Sequence, residues 1–201
     1  MRPVGRLRSL LFAPAVRPDF VEKLATRGAD AVVIDCEDAT PPNAKAEGRS
    51  HAAALAGGVA AGGTQVTVRV NAEPTEWFAD DVREALTDSL TAVVVPKIET
   101  VDGLDRVAAA LVDAGFADLG VIAGIETALG VADARHLLAH DRVVAGYFGA
   151  EDFVADMGGV RTGSNAEVHH ARSTVALAGR LAGVPVLDQI VADFRDDERF
   201  R

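Results

Sequence analysis

Seven short apolar runs limit how this chain can fold. They are Ser9–Pro14, Ala31–Cys36, Gln65–Asn71, Ala92–Lys97, Val121–Glu126, a run from Val143 through Phe148 that ends near Asp152, and Pro185–Ile190. Most are nearly continuous in apolar residues, as expected of a parallel strand covered on both faces. Between successive runs lies a segment with helical spacing. Regular β-then-α alternation predicts a parallel sheet with helices outside it.

The intervening segments carry their own punctuation. Arg17-Pro18-Asp19 opens a helix with Pro in its first turn, and Gly28 ends it. Lys45 to Leu55 is Ala-rich and helical, and Gly57-Gly58 and Gly62-Gly63 are expected to break the chain. Phe78, Val82, Ala85 and Leu86 share one helix face. Thr100 is placed to cap a helix with Val101, Leu104, Val107, Ala108 and Leu111 on its apolar side. Val131, Ala134, Leu137 and Leu138 make the next face. A Gly-rich loop over 158–164 leads into a helix from about Asn165 to Ala182, ended by Gly183. Asp197 to Arg201 is expected to open a last helix.

Two architectures compete. A doubly wound open sheet carries a Gly-rich phosphate loop after its first strand. Here that position reads Ala13-Pro14-Ala15-Val16-Arg17-Pro18, without glycine. A (β/α)8 TIM barrel instead places functional side chains at the C-terminal ends of many strands. Such residues recur here: Arg17, Glu37 and Asp38, Arg69 and Asn71, Lys97 and Glu99, Glu126, Asp152 and Asp188. The expected fold is therefore a single barrel domain over residues 1–201, one strand and one helix short after strand seven.

With 201 residues the chain has the mass of one domain and a real core. Its net charge of −10 argues against a nucleic-acid or anionic-membrane surface. The single cysteine, Cys36, excludes an internal disulfide and lies within an apolar run, as a small core residue would. Arg2, Arg6 and Arg8 before Leu10–Phe12 mimic a signal peptide, but Pro14 and Arg17 interrupt a run that is already too short. No run reaches the roughly 18 apolar residues of a membrane span. A cytoplasmic location is expected.

If the strand ends converge on one mouth, Glu126 and Asp152 lie side by side. Mg²⁺ takes one or two carboxylates and completes its shell with water and substrate oxygens. Such an ion would act as a Lewis acid during formation or cleavage of a carbon–carbon bond. Arg69 would offer a planar fork to a substrate carboxylate. Lys97 would offset negative charge or reach an anion. Glu37 and Asp38 would hold metal-bound waters or orient Arg69. The five histidines, His51, His136, His140, His169 and His170, avoid the strand ends and are expected at the surface. No Walker A motif, zinc-ligand spacing or G-x-S-x-G is present.

The order of several short motifs adds a resemblance. Arg8-Ser9-Leu10-Leu11-Phe12-Ala13-Pro14, Arg17-Pro18, Gly28-Ala29-Asp30, Asp35-Cys36-Glu37-Asp38-Ala39, Arg69-Val70-Asn71, Pro96-Lys97-Ile98-Glu99, Ile125-Glu126-Thr127 and Gly149-Ala150-Glu151-Asp152 occur in register. Together they resemble the citrate lyase β-subunit-like proteins of the HpcH/HpaI aldolase superfamily. That resemblance implies a (β/α)8 barrel, a Mg²⁺ ion, a homo-oligomer (trimer or hexamer), and reversible carbon–carbon cleavage of an acyl-CoA or acyl-carrier thioester such as citryl-, malyl- or citramalyl-CoA. It implies Glu126 and Asp152 as metal ligands, with Glu126 also bordering the substrate. Arg69 becomes the contact to a substrate carboxylate or thioester oxygen. Glu37 and Asp38 become acids around the metal waters, and the loop at Arg17 the region that receives the CoA or carrier arm.

The chain departs from the family pattern at Ala15-Val16 and Leu129. Glu37-Asp38 stands where the pyruvate-aldolase branch has a Glu-His pair. The family pattern also continues beyond strand seven with an eighth strand and a C-terminal portion. Two alternatives accompany the lyase expectation: a non-catalytic or truncated relative that binds metal and ligand only, and an aldolase acting on free 2-keto acids.

Overall fold

The computed structural model describes residues 1–2 and 4–191; the helix expected over 197–201 lies outside the described residues. Seven strands form one sheet: β1 (Leu10–Pro14), β2 (Ala31–Asp35), β3 (Gln65–Arg69), β4 (Ala92–Val95), β5 (Gly120–Ile125), β6 (Val143–Phe148) and β7 (Val186–Leu187). Each pairs in parallel with the next in sequence. A doubly wound sheet reverses its strand order at a switch point, and this order does not, which removes that alternative. The sheet curls into a half-barrel flanked by helices. Among the described residues, β1 and β7 form no ladder with each other.

The continuous apolar strands are explained by two cores. Val32, Ile34, Val66, Val68, Val93, Val95, Val121, Ala123 and Ile125 pack outward against the helices. The residues between them, including Ala31, Val33, Ala92, Val94, Ile122, Ala145 and Tyr147, fill an inner layer. Side chains alternate across a strand, so one parity faces the helices and the other faces inward. The inward series continues to Asp35 and Glu37, to Arg69, to Glu126 and to Tyr147.

Helices occupy the expected segments, with several differences at their ends. The first is split into α1 (Pro18–Val21) and a 3₁₀ turn at Leu24–Thr26. Helix α2 (Lys45–Ala61) runs straight through Gly57-Gly58. Its buried Ala52, Ala56 and Val59 offset the roughly 1 kcal/mol that each mid-helix glycine costs, and the break comes only at Gly62-Gly63. Helices α3 (Phe78–Glu84), α4 (Val101–Asp113) and α5 (Ala128–Leu138) follow. Thr100 caps α4 as expected, accepting from Gly103 N at 3.1 Å. Strand β6 stops at Phe148, because Gly149 already begins α6 (Ala150–Asp156). Asp152 therefore stands on the first turn of a helix rather than at a strand end. A 3₁₀ turn at Ala166–Val168 precedes α7 (His169–Ala182), which ends at left-handed Gly183. Strand β7 is far shorter than the run Pro185–Ile190 suggested. Among the described residues, no helix is long and apolar enough to cross a membrane.

Cys36 is fully buried, and burial pushes its thiol up, consistent with a core role. His136, His169 and His170 are exposed, whereas His51 and His140 are half-buried against Ala15 O and Asp105. At the N-terminal ends of the strands, Arg2 reaches Asp118 and the Asp88 and Leu90 carbonyls, and Gly5 N donates to Gln65.

A buried polar knot links the exits of β2 and β3 to α2 and α3. The Lys45 ammonium donates to Cys36 O (2.8 Å), Glu37 O (2.7 Å) and Asn71 Oδ1 (2.7 Å). Asn71 N and Nδ2 donate to Asp81, which also pairs with Arg49. Three satisfied acceptors make Lys45 costly to lose, since each buried acceptor left bare costs about 1–3 kcal/mol. Lys45→Met is expected to lower stability by at least about 2 kcal/mol in urea denaturation, whereas Arg17→Ala, on an exposed side chain, is expected to change it by less than about 0.5 kcal/mol.

Candidate active site

The strand register builds the site. Asp35 is the ladder partner of Arg69, and both face inward. Arg69 Nε and Nη2 donate to the two Asp35 oxygens at 2.7 Å each, a bidentate clamp. Asp35 is itself tied by Glu37 N (3.0 Å) and Ala39 N (3.2 Å). The guanidinium also lies 5.2 Å from the Phe12 ring centroid. Asp35, rather than Asp38, orients Arg69. Glu37 contributes from the other side, with Oε2 2.9 Å from Arg69 Nη1. That approach lacks hydrogen-bond geometry, so Glu37 Oε2 is buried without a bonded partner.

Lys97 gathers the acids. It follows β4 in a left-handed conformation (φ 52°), uncommon for a residue with a Cβ. Its backbone N donates to Glu126 Oε1 at 2.9 Å. Its Nζ bonds Glu37 Oε1 and lies 3.6 Å from both Asp38 Oδ2 and Asp152 Oδ1. Burial works against this ammonium. Its bond to Glu37 and the charges of Glu37, Asp152 and Asp38 more than reverse that effect and hold it protonated. The structure thus brings Glu37, Asp38, Lys97, Glu126 and Asp152 together, with Arg69 alongside.

Glu126 is the most enclosed acid, at 1 % exposure. Burial, then the negative charge of Asp152, pushes its carboxyl up to about 7. Tyr147 OH donates to Glu126 Oε1 at 3.2 Å. Tyr147 is the ladder partner of Gly124, and a Cβ there would fall 2.5 Å from the phenol oxygen. Gly149 N donates to Ile125 O at 3.2 Å, which draws β6 so close that a Cβ on Gly149 would lie 2.2 Å from Glu126 Oε2. Both glycines are required by close approach, since neither has positive φ.

These residues suit a hard cation. Glu126, raised by burial and by the charge of Asp152, and Asp152 itself supply the carboxylate oxygens such an ion could use. Among the described residues, no three His, Cys, Asp or Glu side chains form a fuller ligand cage. That matches Mg²⁺, which keeps several waters, better than zinc or a calcium cage.

Other strand-end residues do other work. Arg17 folds onto Asp19 (2.9 Å) and over the Phe20 ring (3.9 Å), on an exposed rim rather than among the acids. Asn71 belongs to the buried knot, Glu99 is exposed, and Asp188 pairs with Arg172. Glu151 pairs with Arg161. Thr127 caps α5 by accepting from Gly130 N. Sequence reasoning passed over Asp35 and Tyr147. The signal for both was the inward parity running back from Glu37 and through β6.

A family model described as HpcH/HpaI aldolase/citrate lyase matches residues 8–201. A citrate lyase subunit beta-like protein from Deinococcus radiodurans is 45% identical over 203 residues, covering 99% of this chain and 71% of the relative. An L-malyl-CoA/beta-methylmalyl-CoA lyase from Cereibacter sphaeroides is 30% identical, with 99% and 71% covered. Among solved structures, protein CitE from Mycobacterium tuberculosis in complex with magnesium, acetoacetate and coenzyme A superposes with a TM-score of 0.78 at 30% identity, over 98% of this chain and 70% of that one. On these matches the chain belongs to the HpcH/HpaI aldolase/citrate lyase family.

Proposed function

We propose that the protein is a Mg²⁺-dependent carbon–carbon lyase that cleaves or forms a 3-hydroxyacyl thioester of the malyl-, citramalyl- or citryl-CoA type. The observation that carries this proposal is the buried Glu126 carboxyl, pushed up by burial and by the charge of Asp152 in the cluster that Lys97 gathers, together with an arginine locked in place by Asp35. Magnesium and coenzyme A in the CitE complex, and the substrate named for the malyl-CoA lyase relative, support it. The proposal includes a single (β/α)8-type domain over residues 1–201, a homo-oligomer and a cytoplasmic location.

Glu126 and Asp152 would hold the ion. When bound, it supplies Lewis-acid stabilisation of charge developing on substrate oxygens. Arg69, fixed by Asp35, presents its remaining N–H groups to a substrate carboxylate or thioester oxygen without reorganising. In the cleavage direction the 3-hydroxyl gives up its proton and becomes a carbonyl, the C2–C3 bond breaks, and its electron pair passes into the thioester fragment, which takes up a proton at C2. Lys97 compensates the negative charge of Glu37, Asp38 and Asp152 so that an anionic substrate can approach. Asp38 stands at the exposed edge of this group, and Arg17 lies on the rim where a carrier arm would enter.

The decisive assay offers malyl-, citramalyl- and citryl-CoA with and without Mg²⁺ and follows the short acyl-CoA and keto-acid products. Cleavage of one of them that is lost with EDTA, and that falls at least about 10³-fold in Arg69→Lys or in Glu126→Gln with Asp152→Asn, is the expected result. Turnover only of a free 2-keto acid with an aldehyde would favour the aldolase alternative. Mg²⁺ binding without turnover of any would favour the binding-only one.

The Glu126 carboxyl makes binding depend on pH. Below about 7 the bare site holds a proton that the cation must displace. Mg²⁺ affinity by calorimetry is expected to rise by about tenfold per pH unit from 5.5 to 7, then level off. A flat profile contradicts this. The linkage to stability has the opposite sign. The folded value lies above the ordinary 4.5, so without metal the folded chain retains a proton that the unfolded chain releases. Stability from this group is therefore lost as pH rises from about 4.5 to about 7. Gly149→Ala tests the close approach directly: it is expected to keep the fold, as judged by circular dichroism, and to weaken Mg²⁺ binding at least about tenfold.

A further inference from the structure

We infer that Tyr147 is a positioning residue that makes Glu126 a one-oxygen ligand and so selects Mg²⁺ over Ca²⁺. The inference rests on the metal assignment of Glu126 made above. A carboxylate oxygen has about two acceptor sites. Both sites on Glu126 Oε1 are taken: Lys97 N donates to it at 2.9 Å and Tyr147 OH at 3.2 Å. Among the described residues, no donor is bonded to Oε2. The carboxylate is thus divided into a structural oxygen, turned toward β4 and β6, and an oxygen free to meet a cation.

Neither donor can drift easily. The Lys97 N–H is aimed by the left-handed backbone at the end of β4. The phenol is fixed from below by the inner core and from the side by Gly124, which leaves only the space of a hydrogen where a Cβ would collide with it. The positive charge of Arg69 also lies near the phenol. Gly149 carries no Cβ, which would lie 2.2 Å from Oε2, and so leaves that oxygen uncrowded.

The consequence follows from the chemistry of the two ions. Mg²⁺ requires near-octahedral geometry and single-oxygen ligation, while Ca²⁺ accepts more oxygens, longer bonds and two-toothed carboxylates. An Oε1 already saturated by two donors cannot become the second tooth. Removing the phenol hydroxyl frees one acceptor site on Oε1 and leaves the rest of the carboxylate in place.

The test measures Mg²⁺ and Ca²⁺ dissociation constants by calorimetry for the wild-type chain, Tyr147→Phe and Glu126→Gln. In Tyr147→Phe, Mg²⁺ binding is expected to weaken about tenfold and Ca²⁺ binding to hold or tighten, so that the Mg²⁺/Ca²⁺ preference falls at least about fivefold. Equal losses for both ions, or no change, overturn the inference while leaving the metal assignment intact. Failure of the wild-type chain to bind Mg²⁺, or undiminished binding by Glu126→Gln, overturns both. A second measurement needs no variant. Tyr147 is the only tyrosine, so 3-fluorotyrosine labelling yields one ¹⁹F resonance. It is expected to shift with the same Mg²⁺ midpoint as calorimetry, and a resonance unmoved at Mg²⁺ saturation also overturns the inference.

Discussion

A carboxylate with almost no access to water must be protonated, paired or bound to a cation, because desolvation penalises its charge by several kcal/mol. Glu126 is such a group, and the site is arranged around it. Lys97 lends it a backbone donor, at the cost of a left-handed residue. Tyr147 lends it a hydroxyl. Gly124 and Gly149 give up side chains so that these groups can come near. Asp152 adds negative charge instead of removing it, which raises the Glu126 carboxyl further. The nearest positive side chain, Lys97, is spread over Glu37, Asp38 and Asp152 and does not form a direct side-chain pair with Glu126.

The scaffold delivers these groups through two simple regularities. Parallel strands in sequential order put each strand end beside the next, and two-residue periodicity puts alternate side chains on the inner face. Asp35 meets Arg69 because they are ladder partners of the same parity. Tyr147 reaches Glu126 because its ladder partner is Gly124, two residues earlier on the inner face of β5. Behind this front the Lys45–Asn71–Asp81 knot holds the exits of β2 and β3. Glu37 and Arg69 thus rest on a buried polar base as well as on the apolar inner layer.

Much of this was legible in the chain itself. Continuous apolar runs marked the parallel strands, Thr100 marked a helix start, and the buried Cys36 read correctly as core. The strand-end residues Glu37, Asp38, Arg69, Lys97, Glu126 and Asp152 do come together. The departures have physical causes. Gly57-Gly58 did not break α2, since burial of one helix face outweighed local propensity. Asp152 moved from a strand end to a helix turn because Gly149 ends β6 early. Arg17, at a strand end like the others, folds back on its own helix through Asp19 and Phe20.

The sequence by itself determined the parallel α/β plan and the acidic, oxygen-rich character of the strand ends, because hydrophobic periodicity and residue chemistry act locally. Only the tertiary structure decided which acid is buried, which oxygen of Glu126 is saturated, and that Asp35 and not Asp38 clamps Arg69. These depend on register and on close approaches between strands that leave no room for a Cβ at Gly124 or Gly149. No single strand carries that information, since a one-residue change of parity would turn every one of these side chains to the opposite face.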